Sequence, residues 1–161
     1  MITVLIADDH GAIRAGIRMI LENTEDIKVV AEAADGHAAL QNAYTLNPDV
    51  ILMDLQMPNL DGIAATRELA AHGMNVLVLT TYDHDDYVFG AVRAGAAGFL
   101  LKTAETADII NAVRRVAAGQ GAIAPEISRR IFAAVAQADA EPTETDEIVA
   151  TTAVLEALTD R

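Results

Sequence analysis

Asp8 and Asp9 stand side by side at the end of an unbroken apolar run, V4-L-I-A, and Asp54 closes another, V50-I-L-M. Thr80 and Thr81 end a third such run and Lys102 a fourth. Adjacent acids at the mouth of a buried strand repel each other, so the arrangement calls for a cation. Three clustered carboxylates beside an ammonium suit a hard divalent ion, Mg²⁺ or alternatively Mn²⁺, which takes oxygen ligands and keeps part of its water. An aspartate next to such an ion and a lysine can attack a phosphoryl group, because both positive charges offset the charge on the transferred oxygens. A threonine hydroxyl would then donate to one of those oxygens.

For these groups to meet, the chain must bring four distant segments to one edge of a sheet. Five short apolar runs are strand candidates: ITVLIA (2–7), KVVAEA (28–33), VILMDL (50–55), NVLVLTT (75–81) and GFLLK (98–102). Segments of helical period separate them, for example 105–119, where Ile109, Ile110, Val113, Val116 and Ala117 share a face. Alternation of this kind predicts an α/β domain with a parallel sheet covered on both faces, and its functional crevice lies at the carboxyl ends of the strands. The near-continuous apolarity of the first, third and fourth runs fits central strands, whereas charged Lys28 and Glu32 suit an edge. Asp61-Gly62 after Pro58 reads as a turn and helix cap, and Gly95 with Gly98 as the turn before the fifth strand. Beyond Gly121, Pro125 opens a further helix with Ile127, Ile131, Phe132 and Val135 at helical spacing. Residues 139–147, DAEPTETDE, read as an acidic linker, and 148–158 regain an amphipathic period.

The motifs IADDH (6–10), MDLQMPNLDG (53–62), VLTT (78–81) and GAAGFLLK (95–102) resemble, in order and spacing, the receiver domain of two-component response regulators. DDH, LTTYD and GFLLKT followed by another helix are most similar to the NarL/FixJ (LuxR-type) subfamily. The resemblance implies a flavodoxin-like (CheY-like) five-stranded sheet of order 2-1-3-4-5 with an extra C-terminal linker helix. It implies Asp54 as phosphoacceptor, and Asp8 and Asp9 as metal ligands together with Asp54 and the backbone carbonyl of Gln56. It makes Thr80, rather than Thr81, the switch hydroxyl, Phe99 an aromatic switch and Lys102 the phosphate-facing lysine. Gln56 and Tyr82, two beyond the phosphoacceptor and two beyond the switch threonine, would shield the phosphate from water. Thr103 stands where many receivers carry a cis proline. The implied division is a receiver over 1–121, a linker helix over 122–138, and over 139–161 an acidic linker with the start of a DNA-binding domain, LTDR at 158–161 matching the opening of a helix-turn-helix module.

Singly, each residue has an ordinary reading: Asp8 and Asp9 as helix caps, Thr80 as a β-branched strand residue, Phe99 as a core aromatic, Lys102 as surface charge. His10 beside two acids raises a transition-metal site, but His37, His72 and His84 lack matching spacing, which leaves His10 as a loop or helix-start residue. The function implied is a phosphorylation-controlled module served by a sensor histidine kinase, pairing with itself when phosphorylated through helices near His10 and Glu105 or a face around Val88 and Val92. It would control transcription through a DNA-binding domain; the alternative is a stand-alone receiver acting by protein contacts. A phosphotransferase of the haloacid dehalogenase type also forms an aspartyl phosphate, but needs its nucleophile on strand one with a second Asp two residues on. Apart from accepting and losing its own phosphoryl group, the chain is expected to be no enzyme.

Net charge is −13, with 7 acids against 1 base in residues 139–161. That balance gives no electrostatic footprint for nucleic acid within this chain. No cysteine is present, and neither a signal peptide nor a membrane span is read, so a cytoplasmic protein without a membrane partner is expected.

Overall fold

A computed structural model describes residues 1–81, 85–140 and Leu158. Strands and helices alternate: β1 (Ile2–Ala7), α1 (Gly11–Glu22), β2 (Ile27–Ala33), α2 (Gly36–Leu46), β3 (Val50–Asp54), α3 (Gly62–Ala71), β4 (Val76–Thr80), α4 (Asp85–Ala94), β5 (Gly98–Leu101), α5 (Thr106–Ala117), β6 (Ala122–Ile123) and α6 (Pro125–Ala140). All pairings are parallel, in the order β2-β1-β3-β4-β5-β6. The doubly wound sheet therefore has the expected 2-1-3-4-5 order, with β2 at one edge.

Alternation along each strand builds two cores, since successive side chains leave a sheet on opposite faces. Leu5, Ile51, Met53, Val78 and Phe99 pack with Ala39 and Ala43 of α2, Ala65 and Leu69 of α3, Val88 and Ala91 of α4, and Ile127 and Ile131 of α6. Val4, Ile6, Leu52, Leu77 and Leu79 pack on the other face with Ile17 and Leu21 of α1 and Ile109, Val113 and Val116 of α5. β1, β3 and β4 lie between the layers and carry apolar residues on both faces, which is why their sequences read as continuous runs.

Three expectations need correction. The sheet has a sixth strand, and the helix expected over 122–138 runs from Pro125 to Ala140 after that strand. Two residues are too few to display a strand period, so β6 left no pattern in the sequence. Gly98 opens β5, as the run 98–102 predicts, and a Cβ there would lie 2.5 Å from the Ala122 carbonyl oxygen. Its bare backbone is what lets β6 approach, whereas Gly95, at φ +96°, does end α4 in a left-handed turn. Val88 is no surface residue: it is 1% exposed within the core, and Val92 is partly buried beside it.

The extra helix docks on its own domain, burying Ile127 and Ile131 while Phe132 remains exposed. Leu158 packs against the same core, in a groove of about 470 Å³ shared with Val92, Phe99, Ile123 and Ile131. Residues 148–157 of the last helical period lie outside the described residues.

Candidate functional site

The carboxyl ends of β1, β3, β4 and β5 form the crevice. Asp8 follows β1, its backbone N–H donating to Ala33 at 3.0 Å, and its side chain is fully buried. Asp54 is the last residue of β3 and is 2% exposed. Lys102 follows β5, tied by its N–H to the Thr80 carbonyl at 2.9 Å. Its ammonium lies 3.3 Å from Asp8 Oδ2 and 3.1 Å from Asp54 Oδ2, bridging two acids from different strands. The second Asp54 oxygen accepts the Gln56 backbone N–H at 3.2 Å.

Electrostatics here are dominated by burial, which pushes the Asp54 carboxyl above the usual carboxylate range. The charge of Asp8 pushes the same way, while the Gln56 N–H and the Lys102 ammonium oppose it. One lysine is shared between two buried acids, with Asp9 beside them. Asp8 Oδ2 and Asp54 Oδ2 have no partner in hydrogen-bond geometry among the described residues, although both face the ammonium. Buried oxygens left in this state, with Asp9 close by, fit a hard divalent cation: the donors are oxygens, and Asp8, Asp9, Asp54 and His10 each offer an atom within 4.8 Å of the others.

The remaining expected residues fall around this centre. Thr80 is buried at the end of β4 and its hydroxyl donates to the Thr81 carbonyl at 3.2 Å, while Thr81 is exposed. Phe99 is 3% exposed, on β5 opposite Val78, and packs in the core beneath α4. Tyr82 lies outside the described residues.

Some residues of the site carry little signal in the sequence. His10 does occupy the helix-start position, but its ring makes no cap bond. Nδ1 instead lies 3.2 Å from Asp8 Oδ1 and 3.0 Å from Asp9 Oδ1. Arg14 reaches back from α1 to donate to the Asp8 carbonyl at 2.6 Å and pairs with Glu32 of β2 at 3.4 Å. Its signal was only a cation one turn into the first helix. Gly62 was read as turn chemistry, and Asp61 does cap α3 by accepting the Ala64 N–H at 2.8 Å. A Cβ on Gly62 would, however, lie 2.2 Å from the Asp54 carbonyl oxygen, so glycine also lets α3 start against the strand that carries Asp54.

The profile of the response regulator receiver domain matches residues 4–114. The chain belongs to that family. This receiver is 40% identical over 146 residues to the response regulator UvrY of Escherichia coli (strain K12), covering 89% of this chain and 66% of the other. It is 39% identical over 134 residues to the transcriptional regulatory protein LiaR of Bacillus subtilis (strain 168), with coverages of 82% and 64%. Its fold matches the signal receiver domain of the response regulator NarL from Mycobacterium tuberculosis with a TM-score of 0.70 and 36% identity, over 74% of this chain and 98% of that one. Its relatives are thus regulators of the NarL/LuxR type, and the chain spans just under two thirds of the curated relatives' length. No helix among the described residues of the receiver is long and apolar enough to cross a membrane.

Proposed function

We propose that this receiver accepts a phosphoryl group on Asp54 from a sensor histidine kinase and controls transcription through a DNA-binding domain of a longer protein. The observation that carries the reading is the position of Asp54: buried at a strand end, one oxygen held by the Gln56 N–H and the other 3.1 Å from the Lys102 ammonium. An Asp54 oxygen attacks phosphorus, the bond from phosphorus to the donor's imidazole nitrogen breaks, and that nitrogen keeps the electron pair. Lys102 balances charge on the transferred oxygens and holds Asp54 in place for attack. Mg²⁺ (or Mn²⁺), held by Asp8, Asp9, Asp54 and the Gln56 carbonyl, would supply further positive charge at those oxygens. Buried in the crevice, Asp8 serves the cation rather than the phosphoryl group.

The new charge then draws the Thr80 hydroxyl away from the Thr81 carbonyl to donate to a phosphoryl oxygen. Thr80 vacates space at the end of β4, and Phe99, one strand over in the core beneath α4, repacks toward it. α6 shares that core, so the change reaches the segment leading to the output domain. Gln56 and Tyr82, two residues beyond Asp54 and Thr80 in the sequence, slow the loss of phosphate by shielding it from water. Phosphorylation also promotes pairing of two receivers. A cytoplasmic location follows from the kinase partner.

The phosphoacceptor on β3, rather than β1, and an adjacent acid pair just after β1 argue against a turnover phosphotransferase of the haloacid dehalogenase type. Incubation with acetyl phosphate and Mg²⁺, followed by intact-mass measurement, tests the assignment. One phosphoryl group on the native chain and none on Asp54→Asn is expected. Equal incorporation in both would place the phosphoacceptor elsewhere.

A further inference from the structure

His10 stands at the start of α1, but its ring lies against the acid cluster. Its backbone N–H donates to Asp8 Oδ1 at 2.8 Å, which fixes the residue against the acid it follows. Extended backbone, φ −89° and ψ 106°, turns the ring toward the same acids, with Nδ1 3.0 Å from Asp9 Oδ1 and 3.2 Å from Asp8 Oδ1. It makes no cap bond to α1, so the start of the helix does not need an imidazole. Two buried oxygens of the same cluster, on Asp8 and Asp54, have no partner in hydrogen-bond geometry among the described residues and share one ammonium between them, which suits the place to a further cation.

We propose that His10 is a nitrogen ligand of the acidic pocket, which raises its preference for first-row transition cations such as Mn²⁺ and Co²⁺ above what the aspartates alone provide. The inference rests on the cation reading of the site. Mg²⁺ holds to oxygen donors and water and gains little from an imidazole, whereas Mn²⁺ and more strongly Co²⁺ bind it well. A mixed set of carboxylates and one imidazole therefore separates the two kinds of ion, as carboxylates alone do less well. The ring is 62% exposed, free to withdraw when Mg²⁺ enters with its waters and to engage when a transition ion does.

The test is a pair of measurements on the native chain, His10→Ala and Asp9→Asn. Titration calorimetry with Co²⁺ and with Mg²⁺ should show Co²⁺ affinity falling about tenfold in His10→Ala while Mg²⁺ affinity changes less than about twofold. Electron spin-echo spectra of the Mn²⁺-loaded chain should carry nitrogen modulation that His10→Ala abolishes. Since the ring is exposed and caps nothing, His10→Ala should keep its far-UV circular dichroism, so a lost signal reports a lost ligand. Mn²⁺ that binds with an oxygen-only spectrum, or nitrogen modulation that survives in His10→Ala, overturns the role of His10 but leaves the aspartate site standing. Cation affinity unaltered by Asp9→Asn, or no binding at all, overturns both.

Discussion

Asp54 is costly to the fold whenever its buried carboxyl carries a charge. Its carboxyl is held above the usual range because burial penalises the charge, so the folded chain keeps a proton that the unfolded chain has already lost. Between the ordinary carboxylate pKa and the raised folded value, rising pH therefore lowers stability, and above that range the loss is complete. Asp54→Asn carries no such charge. In chelator, the variant should melt above the native chain at neutral pH, and the gap should close as the pH falls into the carboxylate range. Added Mg²⁺ should reverse the order, stabilising the native chain by roughly 2.7 kcal/mol at about one hundred times its Kd and the variant by less. Thermal melts across pH, with and without Mg²⁺, read both effects; a variant no more stable than native in chelator would show that Lys102 already balances the charge in full.

The two junctions that place these residues are made by glycines and by a short strand. At Gly62 the start of α3 presses on the end of β3, and a methyl group would meet the Asp54 carbonyl oxygen at 2.2 Å and Leu55 Cα at 2.5 Å. Gly62→Ala should cost roughly 1–3 kcal/mol in urea unfolding and slow phosphorylation by acetyl phosphate, because α3 must lift away and take the loop after Asp54 with it. Gly16, on α1 with nothing within 4 Å of its missing Cβ, makes the control: Gly16→Ala should be neutral or stabilising by up to about 1 kcal/mol. At the far edge, β6 and α6 extend the domain beyond the expected five strands. Ile127 is fully buried there, so Ile127→Ala should cost about 2–5 kcal/mol and unfold with the whole domain in one transition. A separate early transition would mean that α6 is an independent unit.

Taken whole, the molecule is an acidic body whose acid cluster opens at one end of the sheet, with α4, β5 and α6 sharing the core beside it. Its charge of −13 works against chance association between copies, so pairing needs a specific surface. Val88 is turned into the core and Val92 is partly buried, while Met19 on α1, 75% exposed, and Phe132 on α6, 52% exposed, remain outside. Sedimentation velocity with beryllofluoride as a phosphate mimic should show a larger dimer fraction than without it, and Met19→Glu or Phe132→Glu should remove the increase according to the face used. The same monomer fraction with and without the mimic, over a wide concentration range, would count against phosphorylation-linked pairing.

Fold and site were legible to different depths. The strand runs and the residues closing them were visible in one dimension, because a strand covered on both faces must be apolar throughout, whereas the 2-1-3-4-5 order came from the family resemblance. Asp8, Asp9, Asp54 and Lys102 were accessible from those runs, and the fourth run offered Thr80 and Thr81 together. Packing decided the rest. β6 is two residues long and exists because Gly98 lets a carbonyl come close, Val88 could be placed inward only once α4 had a partner, and Arg14 reaches Asp8 through a turn of helix that spacing does not reveal. His10 is the sharpest case: its position at a helix start was readable, but the direction of its ring depends on backbone angles and on two acids held still by the sheet. Sequence determines which chemical groups arrive at the strand ends; the tertiary structure decides which of their atoms lie within bonding distance, since that depends on contacts between segments far apart in the chain.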